Sequence, residues 1–406
     1  MKLYWCLAFG VLFAYYTYCP MPDGLAEPMK LRIVFASRQI IKLVGIGAVL
    51  SGYTDRISFS RSVIEFEQGL LSLSCSDEPN ITFQDEIFDG VRVRVYQPVE
   101  KSDKPIAGMV YVHGGGWVVG SVDSYHYQTN YIAARLGIVL VSVDYRLAPE
   151  HPFPVPLQDV VKATIWFLQN AKDYNVDPER IAVVGDSAGG NLAAATASLL
   201  TFQEKYKQMN LPKLKFQGLI YPCLQSLDFL TPSYQQNKNL FILNQHLMVE
   251  FWSWYLTGHL KYVAAMKVNN HTSPQVKDNE RKIMGHDQIP TELKKRDYIP
   301  PTDFNFGNIG IFTSIQNHLL NPSFAPLMRS IVTGLPSAYI VTAEFDVLRD
   351  DGIFYVKKLE DANVPVTWKH YEHGYHGIFS VFKGPIASEV GRQSMDDFLR
   401  FCRENL

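Results

Sequence analysis

An α/β fold with a mostly parallel central sheet flanked by helices is predicted by three features of this 406-residue chain. Short apolar runs at residues 108–112, 181–184, 216–221 and 337–343 have the length and continuity of strands buried on both faces. The alanine- and leucine-rich stretch at 191–200 has the length of a helix packed on such a sheet. Between one run and that helix stands Gly185-Asp186-Ser187-Ala188-Gly189, a glycine-bracketed serine at a strand-to-helix turn. That context fits a nucleophile elbow, in which small neighbours let the serine take a strained backbone and hold its hydroxyl clear of the sheet.

A serine hydroxyl reacts at neutral pH only with a base in hydrogen-bond reach, an acid to orient that base, and donors for the developing oxyanion. The run at 108–112 leads into His113-Gly114-Gly115-Gly116-Trp117. Three successive glycines leave the backbone bare, so their N–H groups can approach a substrate oxygen. His113 reads as a residue that holds this loop rather than as a base.

The acid is expected after the nucleophile in the chain, at the tip of a later strand. The run at 337–343 delivers Glu344-Phe345-Asp346, and Asp346 is the choice, with Glu344 as its competitor. Asp350 and Asp351 read as caps of the helix that begins there. The base is expected last. Residues 366–371 alternate as a strand, and His373-Gly374-Tyr375-His376-Gly377 follows as a loop. His370 falls within the strand pattern, and the glycines around His376 favour it over His373. No cysteine or further histidine cluster completes a metal site from the two loop histidines.

Taken together, His113–Trp117, Asp144-Tyr145-Arg146-Leu147-Ala148-Pro149-Glu150 with Pro152-Phe153-Pro154, Gly185 through Gly190, and Asp346 through Gly352 resemble the hormone-sensitive-lipase class of α/β-hydrolases. The first forty residues and the 346–377 region make the chain similar to the arylacetamide deacetylase-like family, over nearly its whole length. The resemblance implies an α/β-hydrolase fold with a helical cap, Ser187 as nucleophile, Asp346 as orienting acid and His376 as base. It implies an oxyanion hole from the amides of Gly115, Gly116 and Ala188. Deacetylases of that family carry a cysteine after the glycine motif and another before the acid, where this chain has Val118 and Ala343. The redox tie between the two loops is therefore not expected here.

The candidate catalytic parts run from His113 to His376 and must converge in one sheet, so one catalytic domain with insertions is expected despite the length. The division is an anchor at 1–20, a cap region at 21–90, and a catalytic domain at 91–406 with a lid insertion at about 223–335. A net charge of −2 without a basic block excludes nucleic acid as a natural partner. Residues 3–19 carry no charge, follow Lys2, and hold Tyr15, Tyr16 and Tyr18 where a signal peptidase needs small residues. An uncleaved membrane anchor is expected, and the resemblance implies a lumenal catalytic face in the endoplasmic reticulum. Asn80-Ile81-Thr82 and Asn270-His271-Thr272 are glycosylation triplets, while Asn321-Pro322-Ser323 is excluded by its proline. Cys6 and Cys19 go with the anchor, and Cys75, Cys223 and Cys402 form no recognisable framework.

Residues 31–50 mix apolar positions with Arg32, Arg38 and Lys42 and suit an amphipathic helix against the body or the bilayer. Residues 241–266 carry Phe251, Trp252, Trp254 and Tyr255, a lid over an apolar acyl pocket or ordinary helix packing. The expected activity is hydrolysis of apolar carboxylic esters, and of arylacetamides by resemblance, through an acyl-enzyme with no metal or organic cofactor. Lipid esters are the alternative substrate class, and a non-catalytic binding module is the alternative outside enzymes. Oligomeric state is not legible.

Overall fold

The apolar runs pair into one sheet in a computed structural model that describes residues 18–72, 77–302 and 306–406, together with Gly10, Val11 and Ala14. The strands are β1 (Ile81–Phe88), β2 (Val91–Pro98), β3 (Ile106–Val112), β4 (Val139–Val143), β5 (Val176–Asp186), β6 (Phe216–Ile220), β7 (Ser337–Phe345) and β8 (Val366–Tyr375). Their order is β1-β2-β4-β3-β5-β6-β7-β8. The pairings β1–β2 and β2–β4 are antiparallel, and all the others are parallel.

Side-chain alternation explains why these runs are apolar at nearly every position. In β3, Met109 and Tyr111 enter one core while Val110 and Val112 enter the other. In β5, Ala182 and Val184 face the first, and Ile181 and Val183 the second. Each face is covered by helices, which are numbered here in chain order. After the N-terminal α1 (Pro28–Leu50) and α2 (Arg56–Ser72) come α3 (His126–Leu136), α4 (Val155–Asn170) and α5 (Ala188–Phe202). In the interval after β6 lie α6 (Gln245–Thr257), α7 (Pro274–Met284) and α8 (Ile309–Leu319), then α9 (Arg349–Asp361) and the C-terminal α10 (Glu389–Asn405). Ile132 of α3 and Phe398 of α10 belong to one core, and Phe167 of α4, Leu192 of α5 and Phe354 of α9 to the other.

Three expectations need comment. The strand β1 at 81–88 pairs along its whole length with β2, so the sheet begins inside the stretch assigned to the cap region. Asp350 and Asp351 lie in the first turn of α9 but do not cap it. The Asp350 carboxylate accepts from the amide of Ser233 at 2.6 Å, and that of Asp351 from the amide of Leu224 at 2.9 Å. Burial of both aspartates favours acceptors for the irregular backbone after β6, which has no ladder of its own. Most of the uncharged run at 3–19 lies outside the described residues, as do Cys6 and Cys75. Among the described residues the helix long and apolar enough to cross a membrane is α1, 23 residues with an 18-residue stretch of mean hydropathy 1.7.

Within the interval between β6 and β7, His271 ties distant parts of the chain together. Its Nε2–H donates to the carbonyl of Ser226 at 2.8 Å, and its ring lies 5.5 Å from that of Phe229. Among the described residues the second ring nitrogen is buried without a partner, so protonation would leave an uncompensated charge inside. Burial accordingly pushes the imidazole down to about 4. Because this folded value lies below the unfolded one of about 6.5, the unfolded chain takes up the extra proton. Stability is therefore retained above about pH 6.5 and lost as pH falls toward 4, by about 3 kcal/mol at ~1.4 kcal/mol per pH unit. His271→Gln, which keeps a donor for Ser226, is expected to lose less stability over that window when denaturant midpoints are compared at pH 6.5 and 4. Equal losses in the two proteins would refute the assignment.

Candidate active site

Every residue predicted for the triad and the glycine loop stands at the carboxyl edge of the parallel strands, where open α/β sheets bind ligands. The loop His113–Trp117 follows β3, Ser187 follows β5, Asp346 follows β7 and His376 follows β8. Ser187 has φ 54° and ψ −119°, a left-handed backbone that a residue with a Cβ adopts at a cost of order 1–3 kcal/mol. The turn is compressed from behind as well. A Cβ at Gly189 would collide with the carbonyl oxygen of Val112, so only glycine lets α5 begin this close to β3.

Ser187, His376 and Asp346 form a hydrogen-bonded line. The Ser187 Oγ lies 3.0 Å from His376 Nε2, and His376 Nδ1 lies 2.8 Å from Asp346 Oδ2. With Nδ1–H donating to the carboxylate, Nε2 is left as the acceptor for the serine proton. Asp346 is fully buried, and its other oxygen accepts the amide of Leu348 at 2.9 Å. Asn237 donates to the carbonyls of both Glu344 and Asp346, at 3.1 Å each, which fixes the strand tip. The Tyr221 ring lies tilted at 54° against that of His376, with centroids 4.8 Å apart.

The competitors are engaged elsewhere. Glu344 is held by the buried Arg349 at 2.7 Å and by Arg296 at 2.8 Å. His370 pairs with the hydroxyl of Thr342 at 3.0 Å. His373 donates from Nδ1 to the carbonyl of Gly24 at 2.7 Å. Residues 373 and 376 thus divide the work: the first ties the N-terminal segment to β8, and the second meets the serine.

In the glycine loop, φ is 106° at Gly115 and 61° at Gly116. The carbonyl of Gly115 accepts the amides of Val118 and Val119 at 3.1 and 3.0 Å, closing a tight turn. The Gly114 amide is occupied by Tyr125 and Asp186, both at 3.1 Å. Among the described residues those of Gly115 and Gly116 meet no acceptor. Ala188 is the first residue of α5, where an amide has no partner within the helix. His113 is buried, its ring stacked on Tyr145 at 4.3 Å, and burial lowers its basicity. Tyr145 in turn donates its hydroxyl to the His113 carbonyl at 2.9 Å.

Sequence reasoning passed over Asp186. Its carboxylate accepts the Tyr111 hydroxyl at 3.0 Å, the Tyr125 hydroxyl at 2.9 Å and the Gly114 amide. Desolvation pushes this acid up to about 6, partly offset by those donors. The signal was present as the variable position of the elbow motif, but its partners come from 61 to 75 residues away.

Residues of 241–266 divide between core packing and the wall of a cavity. Trp252 and Tyr255 of α6 pack in the core, with Tyr255 stacked on Trp117 at 4.2 Å and 2°. Phe251 and Trp254 instead line a cavity of about 530 Å³ with Val118, Val119, Ile41 of α1 and Phe59 of α2. Phe251 also lies where a Cβ on Gly116 would be, so this apolar cavity adjoins the glycine loop.

A model of the α/β-hydrolase fold matches residues 109–277 and 271–380. The chain is similar to neutral cholesterol ester hydrolase 1 of Rattus norvegicus, 39% identical over 408 residues, with 97% of each chain covered. It is also similar to arylacetamide deacetylase of Bos taurus, 36% identical over 411 residues, covering all of this chain and 99% of that one. Among solved structures, an esterase of Pyrobaculum calidifontis superposes with a TM-score of 0.65 at 26% identity, over 86% of this chain and 93% of its own. A thermostable carboxylesterase from a metagenomic library gives the same TM-score and identity, over 87% and 98%. With full-length relatives on both sides and the fold shared throughout, the chain belongs to the arylacetamide deacetylase-like family of α/β-hydrolases, in the hormone-sensitive-lipase class.

Proposed function

We infer that this chain is a serine ester hydrolase in which Ser187 attacks the carbonyl of an apolar carboxylic ester and forms an acyl-enzyme. The observation that carries the reading is the line of two hydrogen bonds, 3.0 and 2.8 Å, from Ser187 through His376 to Asp346. His376 takes the serine proton through Nε2 and returns it to the leaving alcohol. Asp346 holds the imidazole in the required tautomer and stabilises its charged form. A water activated by the same imidazole then releases the acid. The amides of Gly115, Gly116 and Ala188 receive the oxyanion, and fixed donors of this kind are worth more than any other single contribution in such sites.

Apolar substrates are favoured by the cavity beside the glycine loop. Lipid esters fit that cavity chemically, and the name of the cholesterol ester hydrolase relative favours them as a second reading beside small aryl esters and amides. The cap at 21–90, the insertion at about 223–335 and the anchor at 1–20 complete the proposed division, with β1 as the sheet's edge inside the first of these. The apolar N-terminus supports membrane attachment, and we place the catalytic body on the lumenal side of the endoplasmic reticulum. Asn80 is exposed, whereas Asn270 is half-buried beside a buried Thr272, so Asn80 is the better glycan acceptor.

Turnover of a series of esters by triad variants tests the chemistry. Ser187→Ala and His376→Ala are expected to lower kcat by roughly four to six orders of magnitude with folding intact. Asp346→Asn should cost about 10⁴-fold, and His373→Ala little. Glu344→Gln should reduce stability through Arg349 while sparing kcat; a larger kcat loss there than in Asp346→Asn would reverse the acid assignment. For the oxyanion hole, Gly116→Val puts a side chain into Phe251 at a positive φ, and should lower kcat by about 10²-fold or more. Retained kcat would remove Gly116 from the site. The proposed topology predicts a glycosidase-sensitive mass shift on the membrane-bound protein that disappears in Asn80→Gln. A membrane-bound protein without glycan at Asn80 or Asn270 would turn the catalytic face to the cytosol.

A further inference from the structure

Helix α1 is inside out for a helix on the surface of a water-soluble body. Its outward positions Met29, Ile33, Ser37, Ile40, Val44 and Gly47 are all exposed and repeat at intervals of three and four, the spacing of one helical face. Ile33 is 68% and Val44 63% exposed. The neighbouring α2 behaves conventionally, turning Ser58, Ser60, Ser62 and Glu65 outward, with Phe66 beyond them. The apolar stripe is therefore a property of α1 and not of the cap as a whole.

Length and hydropathy would let α1 cross a membrane, but its contacts run along the body. Phe35 meets Phe241 edge-on at 5.4 Å, a Cβ on Gly45 would strike the ring of Phe59 in α2, and Lys30 reaches the carbonyl of Ala387. What covers the stripe must lie over the cap from outside. Composition argues for lipid: α1 contains no acidic residue, and its basic residues stay clear of the stripe, Arg38 and Lys42 lining the cavity beneath and Lys30 and Arg32 standing at the end nearest the apolar run, so no charge on the outward face opposes an acyl layer. The uncharged run at 3–19 ends only eight residues before α1 starts, within about 30 Å of extended chain. Directly beneath α1 is the 530 Å³ cavity that adjoins the glycine loop.

We propose that α1 lies in the plane of the membrane surface, with its Met29–Val44 stripe among the acyl chains, and that the cavity beneath it receives apolar esters from the lipid phase. The binding surface stands on the stripe and its lack of charge; the delivery step rests on the ester-hydrolase reading, and the two are tested separately.

The full chain is reconstituted in vesicles of phosphatidylcholine and phosphatidylserine, with a benzophenone amino acid at position 44 or, as control, at position 62 on the outer face of α2. Illumination is expected to yield phospholipid adducts from position 44 and few from 62. Equal labelling, no lipid adduct, or a crosslinked pair of chains from position 44 would overturn the membrane surface, the last showing that a second copy covers it. In the second arm, Ile33→Glu with Ile40→Glu and Val44→Glu, none of which lines the cavity, is expected to lower turnover of a long-chain ester dissolved in the vesicles about tenfold. Turnover of a short water-soluble ester should be unchanged. Equal loss on both esters, or no loss on either, would overturn lipid-phase delivery. Failure of the wild-type chain to turn over either ester would sink the hydrolase reading and the delivery step, and leave the photolabelling result to decide the surface.

Discussion

The carboxylate of Asp186 is the contact on which the arrangement of the site depends. It adjoins Ser187 in the chain, so its position is fixed by the turn from β5 into α5. By accepting the Gly114 amide, it sets the start of the glycine loop relative to that turn. The hydroxyls of Tyr111 and Tyr125 satisfy the rest of the buried acid, for which desolvation would otherwise be prohibitive. This arrangement also selects the free amides. Gly114 is engaged, whereas among the described residues the amides of Gly115 and Gly116 meet no acceptor. Ser187 and the amides of Gly115 and Gly116, the pair proposed as nucleophile and loop oxyanion donors, follow strands adjacent in the sheet but far apart in sequence, and a single acid holds their spacing.

Around that centre the aromatic residues act as a second constraint. Trp117 ends the glycine loop and is clamped by Tyr255 and Trp252, while Tyr255 stacks on Phe324 at 5.1 Å. Offset and stacked pairs of this kind add about 0.5–1.5 kcal/mol each beyond the area they bury. The insertion between β6 and β7 is thereby joined to the loop that it adjoins, so α6 serves as wall and buttress together. Its two buried aromatics hold the loop in place, and Phe251 and Trp254 border the cavity.

Much of this was legible in the sequence because it is written locally. Buried parallel strands are continuous apolar runs, and the turns that follow them carry residues with few other uses in those patterns: three glycines, a bracketed serine, an acid, a histidine between glycines. The extended reach of β8 to Tyr375 was not foreseen, because Glu372 and His373 break the apolar alternation, yet the pairing of Phe345 with Tyr375 persists past a register shift. The partners of Asp186, Asp350 and Asp351 were illegible for a different reason. Each carboxylate is buried against backbone or hydroxyl donors contributed by distant segments, and no local propensity records such a contact. For the two aspartates of α9, helix-start chemistry gave a plausible local answer, and the need to satisfy the irregular chain at Leu224 and Ser233 overrode it.

The bond from His373 to Gly24 reaches beyond the site's own loops. The carbonyl of His373 also accepts the amide of Ala26 at 3.0 Å, and the side chain of Glu27 accepts the amide of Glu389 at 3.0 Å. The segment just after the apolar N-terminus is thus laced to the last strand three residues before His376. For anyone trimming the chain to obtain a detergent-free protein for crystallisation or inhibitor screening, the hydropathy profile is a poor guide to where to cut. A start before Gly24 keeps both links to β8, whereas a start at α1 itself would discard them and leave the strand that carries the imidazole without its outer brace.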